Sequence, residues 1–463
     1  MNKMFRILPI VVIVAIVLSS CAQATATQIP ATEAPTAQPP TAAEPTEAAP
    51  AAKITLTYWE NFIGTSQAQS YAIAQMEAKY PNLTIEFANY QIDDMAIKLP
   101  TALASGSGPD IVYADMNPKW LGRFVNEDLA IPLTEGVQKY GWDQKIFGWA
   151  QAFGTYNGEL YGIGHEFEVL GLVYNKKIFN ELGLQVPQTR EDLEAAMAKI
   201  KDNSKYVPMF YGCGTGCPNG IHMFNAIAYS MIPIPEVLAT TPMGTGSYLD
   251  PGWLDALNVL QKWEQAGYFN DDALNYPWEA HWGRFCNGEV AMMAQGSWLF
   301  KALSDCAAAN PDKVDFGWAP FPVAQGKPYQ AYVGVGSGWW LTSQLKDDPE
   351  KRLLAMEFLN MLISDEAINK WITEDQIFPA VNFDTTKIPL TEQQKTALEV
   401  AKMAGSTGGG PIPICWNNSQ EETDVWVKDF QALFLGEITP EQILKDADAV
   451  LKTYQAEWKA QNP

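Results

Sequence analysis

The sequence contains few residues whose types and spacing would support covalent catalysis. Ser337 lies in the stretch GVGSGWW, which lacks the second glycine of the Gly-x-Ser-x-Gly turn that presents a hydrolase serine. No Gly-Lys-Ser or Gly-Lys-Thr run is present to bind a phosphate, and the glycines at 334–336 and 408–410 are more typical of turns than of cofactor loops. A glycosidase needs only two separated carboxylates, which 53 acidic residues could supply. The sequence therefore favours a protein that is not an enzyme and has no cofactor, with a secreted lipoprotein glycoside hydrolase as the alternative.

The sequence is instead rich in aromatic and acidic side chains. The chain contains 16 Trp, 18 Tyr and 20 Phe, which favours a ligand that stacks on rings in addition to an aromatic core. Its net charge of −22 repels nucleic acid and anionic lipid head-groups. The net charge does not identify a ligand, but it argues against long-range attraction of an anionic one, and we expect no nucleic-acid partner.

The first 21 residues form a pattern typical of export. Lys3 and Arg6 precede an apolar run at 7–18, which is shorter than the ~20 residues that a membrane-spanning helix needs. A charged start, a short apolar run and small residues predict a signal peptide over 1–20. The ending LSSC resembles a bacterial lipobox, in which the cysteine, here Cys21, is acylated and becomes the mature N-terminus. An ordinary signal peptide with a chance cysteine is the alternative.

The segment that follows is too polar and too simple to fold. Residues 22–52 are almost entirely Ala, Thr, Pro, Glu and Gln, so they bury too little apolar surface to offset the entropy of ordering. Their prolines favour an extended chain. We therefore predict that 21–52 is a lipidated, disordered tether, which holds an extracytoplasmic body at the cell membrane.

Five further cysteines lie in the body, in a compartment where disulfides persist. The sequence suggests the pairs Cys213–Cys217, in a glycine-rich turn, and Cys286–Cys306, which would leave Cys415 free. A zinc site is the alternative. It has little support, because Cys213-x-x-x-Cys217 has no second metal-spaced pair and the chain has only 3 His. We therefore expect no metal.

About 410 residues remain from Lys53 onward, which is enough for two domains. Strand-like and helical segments alternate in ITLTYWENF, SQAQSYAIAQMEAKYPN, LTIEFANY and PDIVYAD, which predicts an α/β fold with a largely parallel sheet. Asp250-Pro251, Asp348-Pro349 and Thr439-Pro440 each place a capping side chain before a proline, and so predict helix starts.

Several ordered stretches of the body resemble one family. They are TYWENF, MEAKYPNLTIEF, LASGSGPDIVYAD, YGIGHEFEVLGLVYNKKIFNELGL, FCNGEVAMMAQGSWLF, SGWWLTSQLKDDPEKRLLAMEFLNMLISDEAINKW and EITPEQILKDADAVLKTY. Together they are similar to the extracellular solute-binding proteins, family 1, of ABC importers, which include the maltose-binding protein. The departure from the family pattern is at His165 and Glu166, where an aliphatic and then a small residue are usual.

The resemblance implies a two-lobed, periplasmic-binding-protein-like fold of type II, in which hinge strands join two lobes that each have a mostly parallel sheet flanked by helices. Lobe 1 would comprise 53–167 and 336–384, and lobe 2 would comprise 168–335 and 385–463. The implied partners are a mono- or oligosaccharide and the subunits of an ABC permease, with the protein itself a monomer. The same fold with a cationic small molecule as ligand is a further alternative.

A sugar offers apolar C–H faces that stack on rings, and hydroxyls that hydrogen-bond to carboxylates and amides. The family's ligand positions carry over to residues of both kinds here: Trp59, Glu60, Asn61, Asp115, Asn117, Glu168, Tyr211, Trp298, Ser337, Trp339 and Trp416. Trp339 and Trp340 are adjacent, so a strand would point one inward and the other outward.

Overall fold

The structure is a computed structural model that describes residues 52–61, 66–203, 205–214, 218–276, 281–327, 329–330, 333–407 and 419–461. The predicted signal peptide at 1–20, Cys21 and all but the last residue of the tether lie outside these ranges, as do Cys217, Cys415 and Trp416. Within the described ranges, no helix is both long enough and apolar enough to cross a bilayer.

Strands and helices alternate along most of the body. The strands are β1 Ile54–Glu60, β2 Leu83–Asn89, β3 Ile111–Asp115, β4 Ala130–Ile131, β5 Thr155–Tyr156, β6 Glu159–Leu160, β7 Gly162–Gly164, β8 Phe167–Asn175, β9 Val207–Phe210, β10 Val290–Gly296, β11 Phe316–Pro320, β12 Val333–Val335 and β13 Ser337–Thr342.

The α-helices are α1 Gln67–Lys79, α2 Ile92–Ala104, α3 Arg123–Asn126, α4 Thr134–Tyr140, α5 Trp142–Lys145, α6 Gly148–Gly154, α7 Lys176–Glu181, α8 Arg190–Asn203, α9 Pro218–Tyr229, α10 Ile234–Ala239, α11 Trp253–Gln265, α12 His281–Cys286, α13 Phe300–Ala309, α14 Pro349–Leu362, α15 Asp365–Thr373, α16 Glu392–Thr407, α17 Gln420–Phe434 and α18 Pro440–Gln461.

The first sheet has the strand order β2-β1-β3-β13-β4, with β7 paired to β13. β1 runs parallel to β2 and to β3, because helices α1 and α2 return the chain to the same edge between these strands. β13 runs antiparallel to β3, β4 and β7. This arrangement brings the ends of β1 and β3 to the edge at which β13 begins.

The second sheet has the order β11-β8-β10-β9, with β12 paired to β8. Of these pairings, β10 with β9 is parallel and the three that involve β8 are antiparallel. The expectation of mostly parallel sheets is therefore wrong in detail, since both described sheets are mixed. The reason is that β8 and β13 enter their sheets directly from the other sheet, without a helical crossover that would fix a parallel direction.

Two antiparallel segments, β7–β8 and β12–β13, run from one sheet into the other. Gly164 pairs with Gly338 in the first sheet, and Glu168 pairs with Gly334 in the second. A third segment accompanies them, since the backbone N–H of Phe167 donates to the carbonyl of Phe378 at 3.0 Å. We call these the crossing segments, and they bring residues distant in sequence together between the sheets.

Hydrophobic residues form separate cores on the two sides of the crossing. The first core draws on Leu56 to Ile163 and on Val335 to Val381. A second core draws on Leu170 to Leu451, and a third, beside it, on Phe167 to Val400. The lobe boundaries given above stay a prediction, which this distribution of core residues supports.

Asp375, which is distant from α1 in the sequence, caps the N-terminus of this helix. Its carboxylate accepts hydrogen bonds from the hydroxyl of Ser66 at 2.9 Å and from the backbone N–H groups of Gln67 at 2.9 Å and Ala68 at 3.1 Å. These are N–H groups at the helix N-terminus that have no partner within the helix, and the helix dipole favours a negative charge there. The end of β1 and the start of α1 are thereby held next to the crossing segments.

Cysteine pairing links two helices of the second half. The sulfurs of Cys286, at the end of α12, and Cys306, in α13, are 2.08 Å apart and form a disulfide. Cys213 is also disulfide-bonded. Its predicted partner, Cys217, lies outside the described residues.

Candidate functional site

The site is built where β3 ends and β13 begins. Asp115, the last residue of β3, lies opposite Ser337, the first residue of β13, and the hydroxyl of Ser337 donates to a carboxylate oxygen of Asp115 at 2.8 Å. Both side chains are partly exposed. This pair, predicted from the sequence, presents polar atoms at the edge of the first sheet, next to the crossing segments.

Tyr113 lies at the centre of a group of carboxylates. Its ring is 2 % exposed, and its hydroxyl oxygen is 2.9 Å from Nδ1 of His165. Burial raises the pKa of the Tyr113 hydroxyl, and the negative charges of Glu166, Glu60 and Glu168 raise it further. The hydroxyl therefore stays protonated at neutral pH, and three glutamates act on one buried ring.

Glu168 lies directly over the backbone of the opposite crossing segment. The residue is 4 % exposed, and a Cβ atom placed on Gly336 would be 2.0 Å from its Oε1. Only a residue without a side chain leaves room for this carboxylate. Glu168 is therefore a buried acidic residue of the crossing, and its position depends on Gly336.

Glu166 has the least compensated carboxylate of the group. The residue is 6 % exposed, and no hydrogen-bond donor reaches its carboxylate from any residue that the structure describes. Burial, followed by the negative charge of Asp115, raises the pKa of Glu166 to about 8. Burial also raises the pKa of Asp115, although Ser337 and the positive charge of Lys119 oppose this shift. The two carboxyl groups thus disfavour each other's ionisation.

Glu60 is buried but well satisfied by hydrogen bonds. Its carboxylate accepts from the hydroxyl of Tyr58 at 2.9 Å, from Nδ2 of Asn89 at 3.1 Å and from Nε2 of Gln69. Burial raises the pKa of Glu60 to about 8 in spite of these donors. Asn61, which is 8 % exposed, follows it at the end of β1.

Trp298, which follows β10, is the aromatic side chain that we assign to the site. Its partly buried ring lies 5.0 Å from the ring of His222, and Nε1 has no hydrogen-bond partner among the described residues. Gly296 makes this orientation possible, because a Cβ there would be 1.9 Å from the indole. The neighbouring Ser297 hydroxyl accepts from the backbone N–H of Val169 at 3.1 Å, which ties Trp298 to the residue after Glu168.

Trp339 and Tyr211, two predicted ligand residues, lie in the cores instead. Trp339 is 0 % exposed and donates from Nε1 to the hydroxyl of Tyr58 at 3.0 Å. Tyr211 is 0 % exposed, with its ring stacked 4.4 Å from that of Phe434. These rings have no free face for a ligand, because elements pack on both sides of them. Trp340, on the opposite face of β13, is 0 % exposed too, with its ring stacked 5.2 Å from that of Phe124, so the outward-pointing position is also buried.

Trp59 and Asn117 have local structural partners. The partly buried ring of Trp59 packs on Tyr90 with ring centroids 5.0 Å apart. The side-chain oxygen of Asn117 accepts from the backbone N–H of Trp120 at 2.9 Å, and so caps the turn that follows β3. Trp416 lies outside the described residues.

Sequence reasoning missed several residues that shape the site. Tyr113 is one of several apolar residues in PDIVYAD, and nothing in that pattern marks its hydroxyl as the centre of a polar group. Gly336 looks like an ordinary turn glycine, and His222 follows a glycine-rich loop. Only the register of the crossing segments shows what these residues face.

The chemistry available is that of hydrogen bonding and stacking. Among the described residues, no group of three or more His, Cys, Asp or Glu side chains has the geometry to hold a metal ion. The site instead offers carboxyl oxygens on Asp115, Glu166 and Glu168, and one aromatic face on Trp298.

We predict that Glu166→Gln makes the stability of the protein less dependent on pH. The folded state holds the proton of Glu166 up to about pH 8, whereas the usual pKa is 4.5. The folded state therefore binds more protons between these values, so stability is highest below pH 4.5 and falls as the pH rises to about 8, by up to ~1.4 kcal/mol per pH unit for one such group. Urea unfolding at several pH values measures this slope.

Glutamine cannot ionise, so the slope of the variant should be smaller than that of the wild type, with Glu60 and the other carboxyl groups of raised pKa still contributing. Glu86→Gln, on an exposed position of β2, is the control and should leave the slope unchanged. A slope in Glu166→Gln equal to that of the wild type would show that this carboxyl is not held protonated.

Comparison with known proteins identifies the fold and the family. The sequence model of the bacterial extracellular solute-binding proteins matches residues 71–393. A maltotriose-binding protein of Pyrococcus abyssi is 26% identical over 275 residues, which cover 56% of this chain and 52% of the relative.

Two solved structures show the same architecture. A chitin oligosaccharide binding protein superposes with a TM-score of 0.76 at 22% identity, over 87% of this chain and 99% of its own. The maltose/maltodextrin-binding domain of Bdellovibrio bacteriovorus, bound to maltotriose, superposes with a TM-score of 0.68 at 18% identity, over 86% and 99%. The predicted two-lobed α/β fold is thereby confirmed, and these proteins are binding proteins and not enzymes. Since the family model spans most of the body, this chain belongs to the bacterial extracellular solute-binding proteins.

Proposed function

We propose that the protein is the solute-binding component of an ABC importer and that it captures a carbohydrate between its two lobes. The observation that carries this proposal is the hydrogen bond that joins the residue after Glu168 to the residue before Trp298. Glu168 and Val169 are adjacent, and the backbone of Val169 is hydrogen-bonded to Ser297, next to Trp298. Carboxyl groups accept hydrogen bonds from sugar hydroxyls, and the indole packs against the apolar face of a sugar ring.

The names of similar proteins support a carbohydrate. A relative binds maltotriose by name, and a structural neighbour is a chitin oligosaccharide binding protein. An anionic solute is a poor fit, because the carboxylate of Asp375 already occupies the N-terminus of α1 next to the site. Negative charge on Asp115 or Glu168 would also repel it.

Lobe closure would convert binding into a signal for a permease. Hinge motions are absorbed by a few residues of the segments that join two lobes. A ligand shifts the equilibrium towards the closed form only by its higher affinity for that form. Here Asp115 and Ser337 lie on the first sheet, whereas Trp298 follows β10 of the second sheet, so a sugar that contacts both stabilises the closed form.

We predict that Trp298→Ala weakens sugar binding by ~1–3 kcal/mol, because stacking on the indole is lost. A thermal-shift screen with maltotriose, chitotriose, xylotriose and cellotriose would first identify a ligand, since a ligand of the folded state raises the melting temperature. Calorimetry would then compare the wild type, Trp298→Ala and the control Trp458→Ala, a tryptophan on the exposed surface of α18.

The control should bind as the wild type does. If affinity is the same in Trp298→Ala and Trp458→Ala, the aromatic part of the site is assigned wrongly. If no sugar of a wider panel stabilises the protein, the proposed function is wrong.

We further propose that acylation of Cys21 anchors the protein to the cell membrane, with 22–52 as the tether to a nearby permease. The LSSC ending of the apolar run supports this proposal. Each buried CH₂ of an acyl chain contributes ~0.8 kcal/mol, so more than one chain gives a stable anchor.

We predict that Cys21→Ser moves the protein from the membrane fraction into the medium, because serine lacks the thiol to which the lipid is attached. Immunoblots of both fractions measure this, with Cys415→Ser as a control that should stay with the membrane. Equal membrane retention of the Cys21→Ser variant would contradict the lipid anchor.

A further inference from the structure

Gln376 adopts a backbone conformation that glutamine rarely takes. It lies between α15 and the third crossing segment with a φ of +57°, in the left-handed region. Two other non-glycine residues of the described ranges share this region, and they are Asp128 and Asn157, whose short polar side chains suit it. A strained residue persists only where its surroundings hold it, and such residues concentrate at functional positions. The contacts of Gln376 therefore show what holds it.

The side chain of Gln376 makes a hydrogen bond from one predicted lobe to the other. Its Oε1 accepts from the hydroxyl of Ser304 at 2.9 Å. Ser304 lies in α13, which directly follows the turn Ser297–Leu299 that contains Trp298. Gln376 itself follows Asp375, the residue that caps α1 in the first lobe. The bond therefore links the helix after the candidate stacking residue to the neighbour of the cap in lobe 1.

A second side-chain bond joins the predicted lobes at the end of α15. Nε2 of Gln394, near the start of α16, donates to the backbone carbonyl of Ile372 at 2.8 Å. Gln394 is 1 % exposed, and Ile372 belongs to the first core, whereas Ala397 and Val400 of α16 belong to the third. The end of α15 and the residues that follow it are thus held from lobe 2 by the side chains of Ser304 and Gln394.

The bond from α13 to Gln376 lies on the face of the crossing opposite to the candidate site. Successive side chains of a strand point to opposite faces, so Phe167 and Val169 of β8 lie on one face and Glu168 on the other. Phe167 and Val169 belong to the third core, together with Leu303 of α13. The bond is therefore on the third-core face, which we call the back face, and points away from the carboxylate of Glu168.

We infer that the hydrogen bond between Ser304 and Gln376 is a latch that favours the open arrangement of the lobes. This inference rests on the proposed function, because it takes closure around a sugar as the motion that the bond opposes. A rotation that brings the lobes together on the Glu168 face moves them apart on the back face, so closure stretches the bond. The latch lowers the population of the closed form and with it the apparent affinity for a sugar. Ser304 and Gln376 are positioning residues, since the back face does not contact a solute in the site.

Calorimetry with one trisaccharide tests the latch. The probe is whichever of maltotriose, chitotriose, xylotriose and cellotriose raises the melting temperature most. Ser304→Ala should bind it ~2- to 10-fold more tightly than the wild type, as expected when one net hydrogen bond is removed from the open form. Ser304→Thr keeps the hydroxyl and should bind as the wild type does, as should Ser105→Ala, at an exposed position after α2. Damage to the fold would weaken binding, so tighter binding isolates the latch.

A double-mutant cycle shows whether both residues act through one bond. Gln376→Ala removes the acceptor oxygen and should tighten binding to the same extent as Ser304→Ala. The double variant should bind no more tightly than either single variant, because the same bond is lost in all three. Two effects that add would show that the residues act separately, and would overturn the latch.

A readout without sugar separates this inference from the proposed function. The backbone N–H of Ile377 donates to the carbonyl of Trp371 at 2.8 Å, directly after Gln376. Its hydrogen exchange should be faster in Ser304→Ala and unchanged in Ser105→Ala. Unchanged exchange in Ser304→Ala, or sugar binding by that variant that is equal to or weaker than that of the wild type, would overturn the latch and leave sugar binding intact. If no sugar of a wider panel stabilises the wild type, the proposed function is wrong, and the latch against closure falls with it.

Discussion

The burial of carboxyl groups at the crossing is the constraint on which the rest of the structure depends. The chain carries a net charge of −22, and most of its acidic residues can lie in water. Glu60, Glu166 and Glu168 are nevertheless 0 to 6 % exposed around Tyr113. Such burial costs free energy, which the apolar cores on both sides must offset.

Aromatic packing provides the rigid base for these groups. His165 lies with its ring centroid 4.6 Å from that of Trp339 and 4.0 Å from that of Trp371, both of which are fully buried. The segment that carries Glu166 and Glu168 therefore leaves the first lobe from a fixed point. Gly336 leaves room for the carboxylate of Glu168, whose backbone pairs with Gly334 of the opposite strand. Apolar packing in this way sets the position of the polar groups.

Local sequence signals predicted local structure well. Asp348 caps α14 by accepting from the backbone N–H of Lys351 at 2.9 Å, and α18 begins at Pro440, directly after Thr439. The same signal was misleading at Asp250-Pro251, because Asp250 accepts from Ser247 at 2.8 Å and the helix begins only at Trp253. The side chain of Asp250 accepts a hydrogen bond within the preceding turn and therefore does not cap the helix.

Those local signals do not predict which segments that are distant in the sequence lie side by side in the fold. Glu168 was predicted at the crossing through the family resemblance, but strand direction, the burial of Trp339 and the space over Gly336 depend on which segments lie side by side. A sequence of alternating strands and helices does not say that β8 and β13 reach their sheets without a helix. The candidate site was therefore predicted as a set of residue types, and its arrangement required the structure.

The most direct test of the account is the effect of Gly336→Ala on binding of a sugar identified by thermal-shift screening. The added methyl would meet the carboxylate of Glu168, a flexible group that can move aside, so the fold should persist while the site is displaced. Gly283→Ala, where a Cβ meets nothing within 4 Å, is the matched control. We expect near wild-type melting temperatures for both variants and at least ~10-fold weaker binding for Gly336→Ala alone, as for the loss of one charge-assisted hydrogen bond. Unchanged affinity in a folded Gly336→Ala variant would contradict the claim that the carboxyl groups of the crossing form the ligand site.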